Sequence, residues 1–228
     1  MRSKIVFIAS LFIFGVSCSN SGSIEEPQVV ENSAKYSVTV TGNWSANNHP
    51  TNFPANDHFS PVVGMVHNDQ ISLFSTGSLA SAGIKKMAET GGTTPLDDEI
   101  DVFINNGTAL SFVKDAGLPT GITVIEFEID LTKDHPMVSL VSMIAPSPDW
   151  FVGISAVNLY ENGLFIDEIN VEAGTYDAGT DSGENFTSAN MPSNPVENIF
   201  KIIDAPLGNG MEVDPHLMSF HFKKLSSQ

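Results

Sequence analysis

The sequence predicts an all-β fold, an antiparallel sandwich or barrel with one short helix, on three observations. Apolar and polar residues alternate in short runs. Tyr36, Val38 and Val40 set between Ser37, Thr39 and Thr41 show the period-two pattern of a strand with one buried face. Thirteen prolines and 18 glycines punctuate the chain and suit its connecting loops. Only Ser81–Glu89 reads as helix, with Ala, Ile, Lys and Met in place of β-branched residues. Many short strands with frequent turn signals and almost no helix make the antiparallel pattern.

The strands follow in order. After the run at Tyr36–Thr41 come Pro61–Val66, Ile71–Phe74, Val124–Leu131, Val138–Ile144, Trp150–Leu159, Phe165–Val171 and Leu217–Leu225. The fold is expected over residues 35–228. Ahead of it, residues 18–34 are polar and acidic and read as a flexible tether. Residues 1–17 read as a signal peptide. Arg2 and Lys4 give a basic start, and Ile5–Val16 is an apolar run too short to cross a ~30 Å hydrocarbon core as a helix.

Cys18 is the only cysteine, so no internal disulfide forms, and it stands directly behind that apolar run. The arrangement resembles a bacterial lipobox, although Gly15 stands where such motifs usually carry Leu. The resemblance implies that Cys18 is acylated and fixes the chain to a bacterial outer membrane or cell surface. Acyl chains contribute about 0.8 kcal/mol per buried CH₂.

With 41% hydrophobic residues the chain has enough apolar surface for a real core. Ten basic residues face 27 acidic ones, a net charge of −17. That balance argues against nucleic acid and against electrostatic docking on anionic lipid, and favours cations as partners.

Two segments carry chemistry. In Ala145–Ile154, prolines 146 and 148 stiffen a loop that becomes a strand at Asp149. In Tyr176–Gly183, Asp177 and Asp181 lie four apart in a chain that Gly179 and Gly183 allow to curl. Carboxylates gathered on loops repel one another unless a proton or cation intervenes. Calcium, which takes about 6–8 oxygen ligands, is the fitting ion. An Asx-turn loop with solvated carboxylates is the other reading of the residues. The spacing is not that of an EF-hand, since Gly179 and Ser188 fall where acidic ligands belong.

Other chemistries find no support. Asp181-Ser182-Gly183 lacks the apolar strand that precedes an aspartic-protease loop, and Gly153–Val157 lacks the second glycine of a nucleophile elbow. Six scattered histidines give no zinc spacing, and no phosphate-binding glycine fingerprint is present. The chain is therefore expected not to be an enzyme. The alternative with least support is a hydrolase using Asp177 and Asp181 as acid and base.

SPDWFVG at 147–153 and YDAGTDSG at 176–183 resemble the signature stretches of the spondin domain of the F-spondin and mindin family. Further stretches agree in order: Thr39–Ser45 with His49-Pro50, then His58–Pro61, Ala80–Ile84, and Asn190 with Pro192 and Pro195. The resemblance implies a β-sandwich with calcium held in loops at one end by Asp149, Asp177 and Asp181. Asp130 is a weaker further candidate. Animal members carry cysteines where this chain reads Leu159–Gly163, and thrombospondin-type repeats are absent here. What carries over is an extracellular calcium-binding adhesion or recognition module whose partner is an unidentified surface protein or glycan. The alternative is an envelope protein whose metal only stabilises its loops.

Overall fold

The computed structural model describes residues 30–228. Thirteen strands and two helices occur among them. In chain order they are β1 (Ser33–Gly42), β2 (His58–Phe59), β3 (Val63–His67), α1 (Ala82–Thr90), α2 (Leu96–Asn105), β4 (Ala109–Lys114), β5 (Val124–Thr132), β6 (Met137–Ala145), β7 (Trp150–Asn158), β8 (Tyr160–Glu161), β9 (Leu164–Phe165), β10 (Glu168–Glu172), β11 (Gly174–Asp177), β12 (Phe200–Lys201) and β13 (Met218–Ser227).

They form an antiparallel sandwich. One sheet has four strands in the order β10-β13-β1-β5. The facing sheet has seven, ordered β12-β11-β7-β6-β3-β4 with β2 attached to β6. Between them lies a core in which Tyr36, Val38, Val40, Phe220 and Phe222 meet Val138, Leu140, Val152 and Ile154. The outer face of the seven-stranded sheet is also covered. There Met65, Val141, Met143 and Phe151 pack against Ile84, Met87, Leu96 and Ile100 of the two helices.

This third layer explains the sequence of β6. Its residues after Met137 are all buried, so an apolar run replaces alternation, as expected for a strand covered on both faces. In β5 one face is solvent-exposed, and Glu126, Glu128 and Asp130 alternate outward against Phe127, Ile129 and Leu131.

Most expected strands occur within a residue or two of their predicted bounds. Two differences stand out. Ile71–Phe74 is a loop, not a strand, and its apolar side chains Leu73 and Phe74 fill space beneath the helices. The helix expected at Ser81–Glu89 is α1, capped by the Ser81 hydroxyl, which accepts the N–H of Ile84. A second helix, α2, joins it. Leu96, Ile100, Phe103 and Ile104 give it an apolar stripe, and Asp97, Asp98 and Glu99 complement the positive end of its dipole.

The two poles of the sandwich differ. Strand β1 starts beside the last residues of β13 and β5, where the Tyr36 hydroxyl donates to the carbonyl of Ile166 near the far end of β7. It ends next to Trp44, which packs on Phe53, Phe59 and Phe186, and Phe186 in turn packs on Trp150 at the start of β7. The N-terminal segment therefore joins the domain at the pole opposite Trp150 and the acidic loops beside it.

Candidate metal site

Asp149 closes the Pro146–Pro148 loop and is fully buried. Its Oδ2 accepts the N–H of Thr180 (2.7 Å), the hydroxyl of Thr180 (3.1 Å) and the N–H of Asp181 (3.0 Å). Its Oδ1, also buried, has no hydrogen-bond donor.

Asp177 ends β11, paired with Trp150 at the start of β7, which is what brings the two loops together. Its Oδ1 accepts the N–H of Gly179 at 2.7 Å, and its Oδ2 accepts the indole N–H of Trp150 at 3.0 Å. Gly179 turns the chain in the left-handed region at φ 73°, and a Cβ there would collide with the carbonyl of Glu197. Asp181 follows, its Oδ1 accepting from Gly183 (2.8 Å) and its Oδ2 from Met191 (2.9 Å).

Asp149 is electrostatically coupled to each of the other two carboxylates. Burial pushes the Asp149 carboxyl above its ordinary value, and the charge of Asp181 adds to the rise. Asp177 is pushed up to about 7, first by burial and then by the charge of Asp149. Among the described residues, no Lys, Arg or His forms an ion pair with any of the three.

The donor set is entirely oxygen, the chemistry a hard cation selects. Each carboxylate oxygen carries two lone pairs, so accepting a backbone N–H leaves capacity for an ion. The orphaned Oδ1 of Asp149 is the atom a cation would satisfy. No three His, Cys, Asp or Glu side chains among the described residues converge closely enough to hold an ion by themselves. Main-chain or water oxygens would therefore have to complete any shell. Beside the loops opens a cleft of about 800 Å³ whose walls include Trp150, Asp177, Asp181, Glu197, Phe200 and Ile203.

Asp149 thus reaches the loop that carries Asp177 and Asp181 through the backbone N–H groups of Thr180 and Asp181. Asp130 does not join them. It lies on the exposed face of β5, where it pairs with Lys35 of β1 at 3.1 Å. Cys18 lies outside the described residues. Sequence reasoning did not single out Thr180 or the Trp150 indole, whose adjacency to the aspartates in the motifs was the available signal.

Fold and site together define a β-sandwich domain with a buried acidic loop cluster at one pole. The Spondin_N family profile matches residues 34–209, and the chain belongs to that family. It is 32% identical over 173 residues to Spondin-2 of Rattus norvegicus, a match covering 74% of this chain and 52% of that protein. To Spondin-1 of Gallus gallus it is 34% identical over 176 residues, covering 73% of this chain and 21% of the other. The chain thus spans about half the length of one relative and about a fifth of the other.

Proposed function

We propose that this chain is an extracellular adhesion or recognition module that binds calcium through Asp149, Asp177 and Asp181. In this reading lipidated Cys18 holds it to a bacterial outer membrane or cell surface, and its partner is a surface protein or glycan. One observation carries the metal reading: a fully buried carboxylate oxygen of Asp149 without a donor, in a group coupled to two further carboxylates, with no basic side chain among the described residues paired to any of them. Such a group is costly to bury unless paired or coordinated. A bound calcium would supply positive charge at that point and fix the two loops, which no disulfide restrains. Family membership supports a recognition role. Residues 30–33 join the domain at the pole opposite the loops, which supports a reading in which the loops point away from the anchor.

A catalytic role has no comparable support. The Asp177 and Asp181 oxygens are engaged by backbone and indole N–H groups. The Ser–His hydrogen bond found in the core among the described residues, His67 Nε2 with Ser139 Oγ at 2.8 Å, joins two side chains that are fully buried.

The deciding measurement is a thermal melt in calcium and in chelator. A ligand at a hundredfold excess over its Kd stabilises the folded state by ~2.7 kcal/mol. At this chain length that raises the melting temperature by roughly 2–4 °C per kcal/mol. The wild type should respond by several degrees, and Asp149→Asn and Asp177→Asn by little or nothing. Equal shifts in all three would remove the site assignment. Separately, Cys18→Ala should leave the membrane fraction or accumulate as precursor. If that variant still fractionates with membranes and incorporates labelled palmitate, the anchor is elsewhere.

A further inference from the structure

The two flanks of the sandwich are closed to different degrees. On one flank, the segment between β12 and β13 tucks Ile202, Leu207 and Val213 against the core between the sheets. On the other, both sheets end without a partner among the described residues: β5 pairs only with β1, and β4 only with β3. Between these two free edges runs a groove of about 640 Å³. Leu110, Phe127 and Ile129 contribute apolar surface to it, and Glu128 and Asp130 stand on its rim.

The edge itself is suited to pairing. β5 is nine residues long, contains neither Pro nor Gly, and runs against β1 without a register shift. An antiparallel edge leaves every second N–H and C=O free, which makes it a template for an added strand. Natural edges are commonly blunted by short length, bulges or proline, and β5 has none of these. What it has is charge of one sign, Glu126, Glu128 and Asp130 on alternate positions. Lys35, at 3.3 Å from Glu128 and 3.1 Å from Asp130, answers one charge of the three.

That charge pattern selects the occupant. A second copy pairing β5 to β5 would set these acids against their own kind, and like charges directly opposite are destabilising. We propose that the β5 edge and its groove receive an extended segment of another protein, with Lys or Arg at alternate positions facing Glu126, Glu128 and Asp130 and apolar residues facing the groove. Main-chain hydrogen bonds to β5 would give affinity, and the alternating side chains would give register and specificity. The chain itself, with 10 basic residues against 27 acidic ones, makes the complementary segment that of a different molecule.

The probe is a fluorescent peptide as long as β5 that alternates lysine with valine, titrated against the full mature chain. A control peptide has the same sequence with alternate backbone amides N-methylated, which keeps the charge and removes the donors. The unmodified peptide should bind and slow amide hydrogen exchange across residues 124–131. Glu126→Gln with Glu128→Gln should weaken binding about tenfold, since these are exposed rim charges, with no change in the melting curve. Binding should persist in chelator, which separates it from the acidic loops. Equal binding of the N-methylated control would reduce the effect to charge alone and overturn the proposal. So would a β5 edge already protected in the free chain, whether cross-linked to residues 18–29 of the same molecule or paired with a second copy in a dimer.

Discussion

The molecule holds partly or fully buried carboxylates at both poles, and they are treated in opposite ways. At the N-terminal pole Glu31, with a side chain 15% exposed, is surrounded by donors. The Ser227 hydroxyl and the Phe165 N–H bond its two oxygens, and Lys224 lies 3.3 Å away. Chiefly through the Ser227 bond, its carboxyl is held below the usual range even though burial works the other way. At the opposite pole Asp149 and Asp177 also accept N–H bonds, yet both are raised. The difference is the depth of burial and the sign of the neighbouring charge: Asp149 and Asp177 are buried beside another carboxylate, whereas Lys224 adds to the lowering of Glu31. Lys224 is built into the first cluster, where it also pairs with Asp167 at 2.8 Å. No described side chain plays that part in the second. Hydrogen bonds from neutral donors do not offset burial next to a second negative charge.

The strongest way to break this comparison is pH. A carboxyl raised to about 7 when folded contributes stability that is present below its ordinary value of 3.8 and is lost as pH rises through 7. In chelator, raising the pH from 5 to 8 should therefore destabilise the wild type relative to Asp177→Asn, on the order of 2 kcal/mol. The difference between the two proteins is the proper readout. Burial also lowers His49 and His67, and they act in the opposite sense, losing stability as pH falls below 6.5. Calcium should abolish the difference in slope. Parallel pH profiles in chelator would mean that Asp177 is not under strain.

Next in size is Lys224→Met, which keeps the apolar stem and removes the charge that faces Glu31 and Asp167. Leaving a mostly buried carboxylate without its cation should cost about 1–3 kcal/mol in denaturant unfolding, less than a fully buried pair would. Glu31 should then titrate upward by the part of its lowering that Lys224 supplies, the Ser227 and Phe165 donors remaining. An unchanged midpoint would show the first cluster to be held by neutral donors alone.

Trp150→Phe sharpens the other side. It deletes the indole N–H that Asp177 accepts while keeping an aromatic ring against Phe186. The loss should be about 1–2 kcal/mol above pH 7, where the carboxylate is charged, and smaller at pH 5. A pH-independent loss would assign the effect to packing.

The smallest expected change is Glu31→Gln, about 1 kcal/mol or less at neutral pH. Because Glu31 is lowered when folded, its contribution is present above its ordinary value near 4.5 and lost as pH falls through the folded one. Wild type and variant should converge in acid, the reverse of the behaviour expected for Asp177. Divergence toward low pH would contradict the lowered value.

Much of this architecture was legible in the amino-acid order, because alternation and apolar runs report burial directly. Tyr36–Thr41, Val124–Leu131 and Val138–Ile144 all read as strands, and each is found there, the last of them buried on both faces. Asp149, Asp177 and Asp181 were marked out by their motifs, in loops whose curl Gly179 permits. Burial, however, does not name a hydrogen-bond partner. Ile71–Phe74 has the composition of a strand, but its backbone passes beneath the helices without a strand to pair with. Helix α2 and strand β4 are short, and their stability comes from packing on α1 and pairing with β3, contacts set by distant residues. Long-range pairing also decided the site. Asp149 and Asp177 are 28 residues apart and meet because β7 and β11 pair Trp150 with Asp177. One oxygen of Asp149 is left buried there without a donor, and the sheet order puts the edges of β4 and β5, unpaired among the described residues, on the same flank.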